Sequence, residues 1–548
     1  MMYSRLPART WHAVFKRSSA SALLCLAFFC LVALLPVLLM SVRSFFAEGS
    51  LTVGHYVFLL QPRWLLLFFR SVVLSCVATF LAGLLGVPLA FFLARFTFPG
   101  KRAAAFLCLA PLLIPPHIQT LSWLYLYGNR GIFHGWLQFA GLAAPQNALS
   151  STAGVILILA FSYFPLITLL TMAGLTRIDR YLEESAGFVH SPWTVLRTIT
   201  LPLVSPYIFA GFLIVFIFSF FNYGVPSLLR VPTYPIEIFT RFSAFYDEAG
   251  AAAMSMPAVL LVAGAYLCLR IWFQKRQFAM RLPGLRPVTP VVVGGRTKIL
   301  MAGWITLILT VGVLLPVGSL FLQAGSLASF TLAAGGSLRE FRTTLLISAG
   351  SASCITIFAF CLARVMETLS GGRQALAEFL AFLPFAFPAT TLGIGLIYLW
   401  NSRMTGFLYT STAVLVLAMT ARFLPLGLQI MRSSLKQVQP GLYEVSALSR
   451  CSRLKRWVFI DLPLVRQGLK ACWLLVFVFC TGELGTTLLV IPPGSGTVSL
   501  KIYTLLHYGA GPLVAALALL LLGVNFTVAL GLGVIPFGIW GSEPLCRN

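Results

Sequence analysis

Along most of the chain, uninterrupted apolar runs of about twenty residues alternate with short polar segments, a pattern that fits neither half-buried strands nor ordinary amphipathic helices. A helix rises ~1.5 Å per residue and the hydrocarbon core of a bilayer is ~30 Å thick, so about 20 mostly apolar residues suffice to cross it. That ruler predicts spans at 21–42, 71–94, 103–127, 153–176, 204–226 and 251–273, then at 299–321, 343–365, 376–400, 408–431, 467–490 and 512–538. The run at 21–42 is long for a signal-peptide core and no A-x-A-like site follows it, so it is expected to stay as the first span. Between the two sets of six, 274–298 is basic, contains Pro and Gly, and has no run long enough to cross. The predicted fold is an all-α integral membrane protein of about 12 transmembrane helices, with a first repeat at 1–273, a cytoplasmic linker at 274–298 and a second repeat at 299–548.

Composition agrees with that pattern. Of 548 residues, 59% are apolar and 10% charged, with a mean hydropathy of +0.92, more apolar surface than a soluble domain of this size can bury. The net charge of +25 is scattered over many polar segments instead of one surface, which argues against nucleic acid as a partner. Its distribution instead obeys the positive-inside rule when the N-terminus, with Arg5, Arg9, Lys16 and Arg17, is placed inside, and both termini are then cytoplasmic. The cysteines, Cys25, Cys30, Cys76 and Cys108 among them, lie mostly within apolar runs and form no C-x-x-C pair. The histidines are scattered singly, so no metal site is expected.

The halves repeat each other. Glu183 precedes Pro202 by 19 residues and Glu444 precedes Pro463 by the same 19, each stretch ending Ile-x-Leu-Pro: Ile199-Thr200-Leu201-Pro202 and Ile460-Asp461-Leu462-Pro463. The offset of 261 persists to Asn222 and Glu483, and to Gly224 and Gly485. Pro111 to Pro115 answers Pro384 to Pro388, and Tyr125 answers Tyr398, at an offset of 273; Leu93-Ala94-Arg95 answers Leu362-Ala363-Arg364. Six spans per half, an even number, make the repeats parallel, with a pathway expected between them.

On these motifs the chain resembles the fused two-domain permeases of bacterial ATP-binding-cassette importers, of the iron(III) and thiamine type. The resemblance implies a type I importer permease fold in the bacterial inner membrane. It also implies a loop of form E-A-A-x-x-x-G-x9-I-x-L-P in each half, on which an ATPase subunit docks. Carried over are Glu183, Gly187 to Ser191 as the turn, Ile199, Leu201 and Pro202, and in the second half Glu444, Arg450, Ile460, Leu462 and Pro463. The motif is imperfect: Glu184-Ser185 and Val445-Ser446 replace the Ala pair, and Val189 and Arg450 replace its Gly, so the turn is expected to bend differently. No G-x-x-x-x-G-K-[ST] sequence occurs, so the chain has no phosphate-cradling loop of that kind. The resemblance implies no cofactor on this chain, with ATP and Mg used by a separate ATPase, in two copies, and an extracytoplasmic binding protein that delivers the solute. Ferric iron is the substrate it favours, with thiamine, a polyamine or a phosphonate as alternatives.

Other readings stay open at this stage. Each loop, taken alone, fits a basic amphipathic segment lying on the membrane, and an ion-coupled secondary transporter would explain the spans and the duplication but not the paired loops. A membrane enzyme would need a cluster of reactive side chains that the 14 acidic residues, widely scattered, do not supply. Candidate pathway residues are Asn222 and Glu483, placed to face each other across the repeat axis, with His117, Pro115 and Pro388 at two Pro-broken spans. His117 is expected to be a hydrogen-bonded packing residue, Arg422 to be snorkelling or paired, and Glu183 and Glu444 to sit in aqueous loops.

Overall fold

The computed structural model describes residues 19–47, 50–128, 131–141, 149–274, 291–292, 295–436, 438, 453–509 and 511–533. Glu444 and Arg450 lie outside them.

The protein is an all-α multi-pass membrane protein. Among the described residues, nine helices are long and apolar enough to cross a bilayer, from Leu24–Arg43 and Pro62–Arg95 to Gly511–Gly531. Three further pairs meet at sharp bends: Lys101–Leu113 with Pro116–Phe139 at 97°, Gly371–Ala386 with Ala389–Trp400 at 99°, and Trp457–Leu464 with Arg466–Thr481 at 64°. The crossings therefore number up to twelve if each bent pair is one. The run predicted at 467–490 stops being regular helix at Thr481, and helix resumes at Gly295, inside the stretch read as linker.

Proline chemistry explains the irregular segments. Four π-helical turns, Cys30–Leu34, Leu196–Thr200, Thr310–Leu314 and Trp457–Asp461, are each followed at once by Leu-Pro. The proline ring lacks an N–H and crowds the carbonyl four residues back, so the helix widens there by one residue. Two 3-10 turns, Ala110–Leu113 and Leu383–Ala386, end in Ile114 and Phe387, both extended because a proline follows. These irregularities recur in the two halves. So does a loop tie: the Tyr234 N–H donates to Ser71 Oγ and the Val498 N–H to Thr344 Oγ1, both at 2.9 Å.

Each half lends its first helix to the other. Leu35–Arg43 packs on Ala389–Trp400, where Gly395 leaves so little room that a Cβ would sit 2.6 Å from the Pro36 carbonyl oxygen. Phe28 stacks on Phe358 with centroids 3.9 Å apart, and the Arg43 guanidinium lies 4.1 Å from the Tyr398 ring centre. Conversely, Leu315–Ala324 packs on Pro116–Tyr127, Ser319 Oγ donates to the Ser122 carbonyl at 3.3 Å, and Trp304 Nε1 donates to the Leu85 carbonyl at 3.2 Å.

Candidate functional site

Two regions bring the sequence-predicted residues together: a chamber between the halves, and the segments around the Ile-x-Leu-Pro turns.

The chamber, of about 90 Å³, is lined from both halves, by Pro115, Pro116, His117, Tyr163 and Asn222 on one side and Arg422, Gly482 and Glu483 on the other. It exceeds the roughly 10–15 Å³ that one water needs. Its position follows from the repeat. Phe218 and Phe479 are mates at the offset of 261, and their rings touch at 4.9 Å between centroids, which puts the pseudo-twofold axis between them. Close approach depends on Gly482, where a Cβ would stand 2.9 Å from the Pro115 ring.

Asn222 and Glu483 hold matching poses just past the ends of Leu201–Phe220 and Arg466–Thr481. Asn222 Oδ1 accepts from the Val225 N–H at 2.9 Å and Glu483 Oε1 from the Thr486 N–H at 3.0 Å, each three residues on. The Asn222 amide also donates to the Tyr163 hydroxyl at 3.1 Å. The helix breaks free backbone carbonyls, as prolines in apolar spans do, and side chains satisfy them. Asn525 Nδ2 donates to the Leu113 carbonyl at 2.9 Å, and Arg422 donates through one terminal nitrogen to the Phe387 carbonyl at 2.8 Å.

Two expectations are corrected here. Arg422 neither snorkels nor pairs with a carboxylate within 4 Å among the described residues; it is 4% exposed, lines the chamber, and its Nε is buried without a partner. Arg422 stands mid-helix in Ala413–Leu435, too far from either end for its side chain to reach the water interface, so the guanidinium stays inside the bundle. His117 is buried and lines the chamber, where its Nε2 meets no hydrogen-bond partner among the described residues. Pro115 lines the chamber directly, whereas Pro388 does not, contributing instead through the adjacent Ala389. Tyr163 was missed, since a tyrosine in an apolar run carries no signal until Asn222 is seen to bond it.

At the loop end, Glu183 lies in the helix Arg180–Gly187, capped by Asp179. Its carboxylate is not free in an aqueous loop: Oε1 accepts from Arg95 at 2.7 Å and from the Thr200 hydroxyl at 2.6 Å. A carboxylate beside the end of the Pro62–Arg95 helix meets that helix's own arginine before it meets water. Val189, at the motif's glycine position, does not take positive φ, so the turn forms without the missing glycine; Ser191 caps the next helix by accepting from the Thr194 N–H. Phe188, Val189 and Trp193 are exposed at 90%, 79% and 68%. Ile199 and Ile460 are half-buried, Leu201 and Pro202 likewise, while Leu462 and Pro463 face outward. In the second half Arg364 holds the fully buried Asp461 at 2.5 Å, a residue the sequence reading passed over as the variable x of Ile-x-Leu-Pro. At the same end, Glu378 bridges Arg270 of the first half, at 3.0 Å, and Arg432 of the second.

Residues 86–282 match the family model of the binding-protein-dependent transport system inner membrane component. The molybdenum transport system permease protein ModB of Mycobacterium bovis is 31% identical over 208 residues, 37% of this chain and 76% of that protein. The chain belongs to this family. The Fe(3+)-transport system permease protein FbpB 2 of Haemophilus influenzae is 25% identical over 457 residues, 81% of this chain and 85% of that protein, so the likeness runs through both halves. The molybdenum permease ModB of Escherichia coli is 29% identical over 220 residues, 37% of this chain and 90% of that protein. The protein is therefore a fused permease of an ATP-binding-cassette importer, with the type I fold, and a transport subunit in its chemistry.

Proposed function

We propose that this permease carries ferric iron across the bacterial inner membrane, from an extracytoplasmic binding protein on one side, driven by two ATPase subunits docked on its cytoplasmic loops. The observation that carries the iron reading is the likeness to the Haemophilus iron permease over 81% of the chain. Molybdate is the second reading, favoured by the higher identity of the ModB relatives over a shorter stretch. The repeats at 1–273 and 299–548, joined by 274–298, form the two walls of the path, and both termini are cytoplasmic.

Docking is supported by the first loop's chemistry. Phe188, Val189 and Trp193 stand exposed on a short, polar-anchored helical turn, the form of surface that seats in a partner's groove. Glu183, Gly187, Ser191, Ile199, Leu201 and Pro202 shape and hold that turn; in the second half Glu444, Ile460, Leu462 and Pro463 are the counterparts of Glu183, Ile199, Leu201 and Pro202, and Arg450 stands where Val189 does. Closure of the two ATPases then shifts the halves between outward- and inward-facing states, a population shift between conformations with different affinities. Asn222, Glu483, His117, Pro115 and Pro388 shape the path where the halves meet.

Replacing Glu183 and Glu444 together by alanine tests the assignment. Loss of ATPase association and of transport, with the membrane domain still folded, is expected. Full association and transport in that double variant would overturn the docking role.

A further inference from the structure

The chamber carries a charge that its architecture does not require. The Phe387 carbonyl, freed by Pro388, needs one donor, and Arg422 supplies it at 2.8 Å. At the matching break in the first half, the Leu113 carbonyl, one residue before Phe387's own mate Ile114, is served by the neutral amide of Asn525 at 2.9 Å. Aligning Ser162-Tyr163-Phe164-Pro165 with Arg422-Phe423-Leu424-Pro425 gives Ser162 as the repeat mate of Arg422, so the same helix packs in the first half without a cation. A guanidinium has five N–H donors, and burying its charge at membrane depth is costly. One carbonyl does not explain it. Its Nε is buried without a partner, and no carboxylate lies within 4 Å of it among the described residues. Glu483, which lines the same chamber, spends Oε1 on the Thr486 N–H.

We propose that Arg422 and Glu483 form a two-point recognition site for a small solute bearing an anionic oxygen centre together with a proton-donating or positively charged group. Arg422 receives the anionic oxygen through donors that the fold leaves unused, and a planar guanidinium suits such an oxyanion. An ionised carboxylate only accepts, so Glu483 admits a group that donates and repels one that cannot. The His117 ring and the Asn222 amide complete the polar lining around the solute. Hydrogen phosphate and aminophosphonates meet both points. Molybdate, an acceptor only, meets one and faces Glu483 with the other; a bare cation leaves Arg422 unpaired. Ferric iron, the cargo proposed above, meets the site as a complex whose ligands supply both an anionic oxygen and a proton-donating group. This inference rests on the reading of the chamber as part of the transport path.

The test is equilibrium binding of radiolabelled inorganic phosphate to the purified full chain in nanodiscs, with aminomethylphosphonate and molybdate as competitors. Saturable binding is expected, displaced by aminomethylphosphonate at concentrations at least about tenfold below those of molybdate. Arg422→Gln, which keeps a donor for the Phe387 carbonyl, should weaken binding by about tenfold or more, the size of one charge-assisted hydrogen bond. Arg422→Lys should retain most of it, and Glu483→Gln should bring molybdate to within a few-fold of phosphate. Absence of saturable binding to the wild-type chain, or binding and discrimination untouched by both Arg422→Gln and Glu483→Gln, overturns the proposal. Should Arg422→Gln fail to fold, the Glu483→Gln competition decides alone. Co-purification of the ATPase is scored on the same material: its loss sinks the importer reading, whereas lost phosphate binding with the ATPase retained sinks only this one.

Discussion

At the end of the Pro62–Arg95 helix, Arg95 meets a carboxylate that comes from the loop helix, Glu183, with Thr200 as that carboxylate's second donor. At the matching end of Leu338–Glu367, Arg364 meets Asp461, which stands where Thr200 stands in the first half. The task is the same in both, tying a span's end to the π turn before Leu-Pro, but the carboxylate has moved from one element to another. A duplicated chain thus keeps a geometry while redistributing the side chains that hold it. The second π turn is anchored by its own residue, and Asp461 is fully buried where Glu183 keeps 16% exposure.

That difference in burial sets the order of the expected effects. Arg364→Ala strands Asp461 as a buried, uncompensated charge, and removal of one partner of such a pair costs about 3–5 kcal/mol, the largest loss expected in thermal unfolding of the detergent-solubilised chain. Arg95→Ala should cost less, about 1–3 kcal/mol, since Glu183 can turn toward water and keeps its bond to Thr200. Equal losses at the two arginines would erase the distinction between the halves.

Asn525→Leu leaves the Leu113 carbonyl and the Thr481 hydroxyl without this side chain, at a cost of about 1–3 kcal/mol by the same measurement. Gly482→Ala drives a methyl group against Pro115 and should cost about 1–3 kcal/mol, by overpacking where the halves meet. Gly187→Ala is the smallest effect: no atom lies within 4 Å of its added Cβ and its φ is negative, so stability should stay within about 0.5 kcal/mol. A large loss at Gly187 would mean that the turn after Arg180–Gly187 needs glycine after all.

Much of the fold was legible because lipid imposes a single length scale, and Leu-Pro and Ile-x-Leu-Pro mark the same places in each half. The matching positions of Asn222 and Glu483 were legible too, since one offset carries from the loop into the next span. The bends near 97° and 99° were not, because Pro115 and Pro388 announce a break but not its angle. Arg422 was misread for a related reason. Sequence gives its distance from the span's end, while the helix bundle decides whether water lies beside it. The tie from Asn525 to Leu113 joins residues 412 apart, and no local pattern records such a contact. Asp461 escaped because a motif written with an x hides the residue that fills it.

The most direct measurement is native mass spectrometry of the chain extracted from its own membrane in mild detergent. Two ATPase subunits per chain are expected, released together when Glu183 and Glu444 are both replaced. A chain that carries no ATPase, in cells whose uptake survives ATP depletion but collapses with the ion gradient, would contradict the importer assignment at its centre.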